Sequence, residues 1–279
     1  MTSMTKRVLT TVITLPSLFC IIVFLPAHSY FALSLVAVFT TIYGAKEVKD
    51  LYGKALGVKP HLPVVFVGLL PFAQWMEIAC FPELPLVDLV IVFMALAFFS
   101  TELVYGSRDG FSNSLTRIAG EALLLLYPGL LFTFIQRLVA LPLPTQTLLL
   151  FFLLIFSNDV FAFIFGMWLG RTNKGIVKVS PNKSIAGFLG GILSTVLLSV
   201  AFCMFVPGVD AIINIWQAAL LGFGTSVAAN IGDLIESAFK RSAQVKDSGT
   251  LVPGRGGLLD SIDSMLAGAP VFWVLLSLF

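Results

Sequence analysis

The sequence predicts an all-α, polytopic integral membrane protein with about nine transmembrane helices and a cytoplasmic N-terminus. Composition is the first reason: 58% of the 279 residues are hydrophobic and 11% are charged, with a mean hydropathy of +0.98. A soluble domain carries roughly 45–50% apolar and about 25% charged residues. So few polar groups cannot cover a water-facing surface, which excludes a soluble enzyme. Disorder needs low hydrophobicity and high charge, and neither a collagen repeat nor a disulfide scaffold is supported. The second reason is the run structure, and the third is the placement of lysine and arginine.

A helical crossing needs about 20 mostly apolar residues. Runs of that kind lie near 8–26, 28–45, 62–80, 84–105, 119–140, 145–170, 185–206, 211–231 and 263–279. They show no two-residue alternation and are joined by short loops, which favours helices over an outer-membrane barrel. The first run follows Lys6 and Arg7 like a signal peptide, but no small-x-small site closes it and another span follows at once, so it is read as a helix. The second loop carries Lys46, Lys49, Lys54 and Lys59, and the fourth carries Arg108 and Arg117. The sixth carries Arg171, Lys174, Lys178 and Lys183, and the eighth Lys240, Arg241, Lys246 and Arg255. With the N-terminal pair, 16 of the 17 cationic side chains fall on one side, and only Arg137 on the other. The positive-inside rule makes that side cytoplasmic.

The net charge of +2 is nearly neutral and points to no nucleic-acid partner. Cys20, Cys80 and Cys203 fall inside apolar spans and are expected to be small buried hydrophobes. A histidine-built zinc site or a Ser-His-Asp triad would need His28 or His61, the only two histidines and far apart in sequence. Neither a phosphate-binding loop nor a dinucleotide fingerprint is present, and there is no internal repeat. The 40–60 stretch reads as a polar connector.

Two cytoplasmic segments concentrate the polar residues. The first contains Asn158-Asp159, then Ala162, Gly166 and Gly170-Arg171, then Ser180-Pro181-Asn182-Lys183-Ser184-Ile185-Ala186-Gly187. The four-residue spacing of Ala162, Gly166 and Gly170 gives one small helix face that admits another helix. Ser180-Pro181 reads as an N-cap followed by proline at the first helical position, which would aim free N–H groups at the cytoplasmic boundary, where phosphate binds readily. The second segment, 232–263, carries two acid pairs at three-residue spacing, Asp233/Glu236 and Asp260/Asp263. On helices each pair shares a face, and carboxylates are the ligands that magnesium prefers. Lys240, Arg241, Lys246 and Arg255 lie in the same stretch, with Gly254, Gly256 and Gly257 as backbone that can approach a ligand. Acids for a metal, bases for phosphate and permissive backbone suit phosphoryl or nucleotidyl transfer, chemistry that is mostly positioning and charge neutralisation.

The stretch Ser237-Ala-Phe-Lys240-Arg241-x4-Lys246-Asp247-x-Gly249-x3-Pro253-Gly254-Arg255-Gly256-Gly257-x2-Asp260-Ser261-Ile-Asp263 resembles the signature of the phosphatidate cytidylyltransferases. Gly232-Asp233-x2-Glu236-Ser237, the Ser180–Gly187 block and Asp159-x2-Ala162-Phe163-x2-Gly166-x3-Gly170-Arg171 fit the same pattern, and the first 150 residues match only in being hydrophobic. The resemblance implies an enzyme of phospholipid biosynthesis, a nucleotidyltransferase that makes CDP-diacylglycerol and pyrophosphate from CTP and phosphatidic acid with magnesium (Mg2+). It further implies a multi-pass protein of the cytoplasmic (inner) membrane, working in the lipid bilayer as a homodimer. Asp233 and Asp260, with Asp263, would be the metal ligands. Asp233, Asp260, Lys246 and Asp247 would be catalytic, and Ser180, Asn182, Lys183, Lys240, Arg241 and Arg255 would bind substrate. Three positions depart from the family: Arg255 stands for the usual histidine, Ser261 for arginine and Ala186 for glutamate.

The expected organisation is residues 1–150 as N-terminal transmembrane helices and 151–279 as the region carrying the chemistry. Two other readings stand beside it. Acids in spans (Glu77, Asp88, Glu102, Glu121, Asp159) are what an ion- or proton-coupled transporter would use, but the chain shows no related halves with interrupted helices. A catalytically inactive relative would keep the pattern and lose the reaction.

Overall fold

The computed structural model describes residues 3–173, 175 and 177–279, with side chains from Val12 onward. Lys174 and the side chains of Lys6 and Arg7 therefore lie outside the described residues. Each apolar run becomes helical: α1 Ser3–Phe24, α2 Ala27–Leu56, α3 Leu69–Ala79, α4 Leu86–Gly106, α5 Ser114–Leu124, α6 Leu131–Arg137, α7 Pro144–Leu169, α8 Ile185–Phe205, α9 Ile215–Ser242 and α10 Leu259–Leu278. Among the described residues there is no strand; Val252 and Gly256 form an isolated bridge. Among the described residues, seven helical segments are long and apolar enough to cross a membrane; Val12–Phe24 and Val64–Ala79 are apolar but shorter. The protein is thus an all-helical polytopic membrane protein.

Large apolar side chains on outer faces, such as Trp168, Leu193, Leu197, Phe205 and Trp216, are exposed, as expected where the solvent is lipid. Cys203 is buried as expected, whereas Cys20, on α1, and Cys80, just past the end of α3, are exposed.

Two compact units make up the chain, residues 1–137 with 239–261, and residues 138–238 with 262–279. Residues 239–261 group with the first unit. In the first unit α2 is longer than the run 28–45, continuing to Leu56 with Gly57 closing it at a left-handed φ of 72°. The polar 46–56 stretch is therefore helix. Its buried positions Gly44, Ala45, Glu47, Val48 and Leu51 repeat at three- and four-residue spacing, while Lys46 and Lys54 are exposed, the pattern of an amphipathic helix. A one-turn π-helical stretch, Leu125–Leu130 with Pro128 inside, joins α5 to α6, as expected where proline removes a backbone donor.

The first unit also holds a charged cluster. Arg117 Nε donates to Glu102 Oε2 at 2.8 Å, and Arg117 Nη1 to Asp109 Oδ2 at 2.7 Å. The hydrogen bonds from Arg117, helped by Asn113, hold the Asp109 carboxyl down at about 2. An acid depressed in the folded state contributes stability above its ordinary pKa and loses it only as pH falls through the folded value. We expect Arg117→Met to lower the thermal stability of detergent-solubilised protein as much at pH 5 as at pH 7. A loss confined to pH 7 would contradict the pairing.

In the second unit, small residues set the helix spacing. A Cβ on Gly187 would lie 2.8 Å from the Ala162 carbonyl and one on Gly191 3.2 Å from Ala162 Cβ, while Gly166 faces Gly187 Cα. The small face of α7 thus packs on a small face of α8. A Cβ on Gly222 of α9 would lie 2.9 Å from the Thr195 carbonyl of α8, and one on Gly224 would lie 2.6 Å from Leu275 Cδ1 of α10. Phe151 and Phe272, both fully buried, close the interior edge to face with ring centres 5.4 Å apart.

Candidate active site

Close packing of α9 against α10 brings acids together in the second unit. Gly232 lies against the Asp263 carbonyl and would place any Cβ onto it, and 3.0 Å from Ala267 Cβ. Only glycine lets the helices meet there. Asp233, the next residue, and Glu236, one turn on, share a face of α9 and confront Asp263 of α10. One carboxylate oxygen from each of the three lies within 4.8 Å of the others. Glu236 is fully buried and Asp263 is 7% exposed. Carboxylates packed this closely away from water repel one another strongly, so the group favours a cation. Three hard oxygen donors suit a divalent ion of the magnesium type. Ser264 N donates to Asp263 Oδ1 at 2.7 Å and fixes that carboxylate.

A cavity of about 440 Å³ opens beside this group, with Asp233 in its wall. Its polar lining includes Asp159, Asn182, Lys183, Asn230 and Asp233, and its apolar lining includes Phe163, Met167 and Phe188. Lys183 Nζ is ion-paired to Asp233. Behind the cavity, Asn158 Oδ1 accepts from Ser226 Oγ at 2.5 Å and from Asn230 Nδ2 at 3.2 Å, which locks α7 to α9. The lining thus combines charged and apolar side chains, as required of a site for a ligand with an anionic head and a hydrocarbon tail.

The structure corrects the expected start of the helix after this loop. α8 begins at Ile185, and its N-cap is Ser184, whose Oγ accepts from Gly187 N at 3.1 Å. Ser180 instead opens a turn in which Lys183 N donates to the Ser180 carbonyl at 3.1 Å. Pro181 therefore lies in a turn and not at the first helical position. The result keeps Asn182 and Lys183 at the cavity, presented from a turn.

In the first unit, the glycine-rich loop is organised around Asp260. Lys240 Nζ donates to Asp260 Oδ1 at 2.5 Å. Asp260 Oδ2 accepts from Ser248 N and Ser248 Oγ, each at 2.9 Å, and from Gly257 N at 2.7 Å. Val252 and Gly256 exchange two backbone hydrogen bonds around Pro253-Gly254-Arg255. Gly254 and Gly256 take φ values of 82° and 111°, which glycine adopts readily. A Cβ on Gly256 would lie 2.8 Å from both Asp247 Cβ and Asp260 Oδ2. Lys246 and Asp247 are exposed on this loop, and Arg241 is exposed at the end of α9; Arg255 is half-buried in the turn.

Of the acids expected to act together, Asp233 and Asp263 are joined in one group. The carboxylate of Asp260 is engaged by Lys240, Ser248 and Gly257. Two acids were not foreseen as site residues. Glu236 completes the three-carboxylate group, and its three-residue spacing from Asp233 was the available signal. Glu47, on α2, accepts from the glycine-rich loop itself, and no local pattern announces that contact. Nothing in the structure explains alanine at 186.

Residues 5–279 match the sequence profile described as the Cytidylyltransferase family. The chain is 43% identical over 125 residues to a phosphatidate cytidylyltransferase of Staphylococcus epidermidis, covering 45% of this chain and 46% of that protein. It is 40% identical over 125 residues to a phosphatidate cytidylyltransferase of Staphylococcus haemolyticus, with the same coverage of each. An Escherichia coli protein named uncharacterized protein YnbB is 32% identical over 192 residues, 67% of this chain and 63% of that protein. The matched region thus spans about half the length of the staphylococcal relatives.

Proposed function

We propose, for a chain that belongs to the cytidylyltransferase family, that it joins CTP to phosphatidic acid in the membrane, releasing pyrophosphate and forming CDP-diacylglycerol. The observation that carries this reading is the grouping of Asp233, Glu236 and Asp263 beside a cavity lined by both charged and apolar side chains. The names of the staphylococcal relatives and the signature around Lys240–Asp263 support the same substrates.

Asp233, Glu236 and Asp263 would hold magnesium. When bound, the ion neutralises charge that builds on the phosphates. The phosphatidate oxygen forms a bond to the α-phosphorus of CTP, and the bond from that phosphorus to the pyrophosphate oxygen breaks, its electron pair leaving with pyrophosphate. Lys183 supplies positive charge at the cavity and exchanges its partner Asp233 for a phosphate oxygen. Asn182 and Ser180 shape the turn that holds it. Phe163, Met167 and Phe188 exclude water and accept hydrocarbon. Lys240, Arg241, Lys246, Asp247, Asp260 and Arg255 take their phosphate-binding and catalytic roles from the family signature. The distribution of basic residues supports a cytoplasmic site and N-terminus in the inner membrane, and the family resemblance supports a homodimer as the working form.

The test is a membrane assay with labelled CTP, phosphatidic acid and magnesium. Membranes carrying the protein should yield a lipid-soluble cytidine product that needs all three. Absence of that product from well-expressed, folded protein would overturn the proposal and favour the inactive relative. Solute uptake into vesicles without CTP would favour a carrier.

A further inference from the structure

Glu47 sits in the middle of α2, about 200 residues from the signature loop in sequence, and 7% of it is exposed. Its carboxylate is committed to that loop. Leu258 N donates to Glu47 Oε1 at 2.9 Å, Leu259 N to Oε2 at 2.7 Å, and Ser248 Oγ lies 3.0 Å from Oε2. Leu259 is the first residue of α10, so Glu47 and Asp260 together take the N–H groups of Gly257, Leu258 and Leu259. These are the donors that a helix start leaves without partners, and an anionic acceptor there also meets the positive end of the helix dipole. Ser248 Oγ is within hydrogen-bond distance of both Glu47 Oε2 and Asp260 Oδ2, and one hydroxyl hydrogen cannot serve both acids at once. Glu47 and Asp260 are therefore linked through a shared donor.

The glycines of the loop are shaped to this carboxylate. Gly249 lies directly against Glu47 Oε1, and a Cβ on Gly257 would come 2.5 Å from Glu47 Oε2. Two of the signature glycines thus leave room for an acid contributed by α2. The loop between them carries Pro253, Gly254 and Arg255.

We infer that Glu47 is a positioning residue for the phosphate-binding loop: it touches no substrate, and it fixes residues 248–259 so that Asp247, Arg255 and Asp260 are held ready for nucleotide. The inference rests on the reaction proposed above. It extends the working part of the chain into the N-terminal helices, where the family signature has no counterpart.

Two readouts test it on full-length protein in membranes. In the CDP-diacylglycerol assay, Glu47→Gln should raise the KM for CTP about tenfold, the effect of weakening a hydrogen bond to a charged acceptor. The kcat should change much less, and Glu47→Asp should recover part of the loss. Gly249→Ala, which crowds the same carboxylate without altering it, should reproduce the change. In the second readout, trypsin should cut after Lys246 or Arg255 about tenfold faster in Glu47→Gln than in the wild type, because the loop loses its anchor. Wild-type membranes without CTP-dependent synthesis, but with faster cutting in Glu47→Gln, would overturn the reaction and leave the anchoring role standing. Unchanged cutting, or kcat falling in step with folded protein while KM stays fixed, would overturn the role of Glu47.

Discussion

Asp263→Asn should lower CDP-diacylglycerol synthesis about a thousandfold while making the metal-free protein more stable. Both effects follow from the same crowding. Asp263, Glu236 and Asp233 place carboxylate oxygens within 4.8 Å of one another in a largely buried setting. Without a cation that arrangement opposes folding, and an amide of nearly the same shape relieves the repulsion. A gain of about 1 kcal/mol would raise the melting temperature by about 2–4 °C in a chain of this size. With magnesium the order should reverse, because a ligand that binds only the folded state stabilises it by mass action and the variant has lost a ligand. The thousandfold loss corresponds to about 4 kcal/mol of transition-state stabilisation. Thermal unfolding in detergent with and without magnesium, beside the membrane assay, checks both signs. A variant destabilised without metal, or one that keeps wild-type activity, would remove Asp263 from the site.

The second large effect concerns Asp260. Asp260→Ala should abolish measurable synthesis, a loss of at least about a hundredfold, and should destabilise the protein by about 2–3 kcal/mol. It leaves the Lys240 ammonium and the N–H groups of Ser248 and Gly257 without their acceptor. The double variant Lys240→Met with Asp260→Asn removes both charges of the pair, so it should recover stability by a non-additive margin without recovering synthesis. Urea unfolding in detergent gives the first quantity and the CTP assay the second. Activity returning together with stability would make Asp260 a loop anchor alone and would remove it from the chemistry.

The sequence made the helices legible because lipid imposes one simple demand, about 20 apolar residues per crossing, and every run satisfying it became helical. The small face Ala162-Gly166-Gly170 was legible for a similar reason: helical spacing fixes which residues share a side. The acid pair Asp233/Glu236 followed from the same rule. Where the reading differed, local signals competed. Ser180-Pro181 has the form of a helix start, yet the turn closed by Lys183 N and the Ser180 carbonyl delays the helix to Ser184, whose hydroxyl reaches Gly187 N equally well. The polar end of α2 reads as a loop because charge there outweighs apolar content, although its buried residues keep helical spacing to Leu51. Asp260 and Asp263 share a spacing that foretells a common face, but each answers to different partners, which only tertiary packing decides. Glu47 lay beyond sequence reasoning because its partners are backbone N–H groups about 200 residues away, and backbone groups carry no residue signature.

The central claim is that Asp233, Glu236 and Asp263 form a divalent-cation site. Manganese, which shares magnesium's preference for oxygen ligands, reports on it directly through the paramagnetic resonance signal of the free ion. Purified protein in detergent, titrated with manganese and no nucleotide, should remove free ion from solution, and magnesium should compete it off. Asp263→Asn and Glu236→Gln should each weaken that uptake at least about tenfold. Equal uptake by the wild type and both variants would contradict the site, whatever their activity.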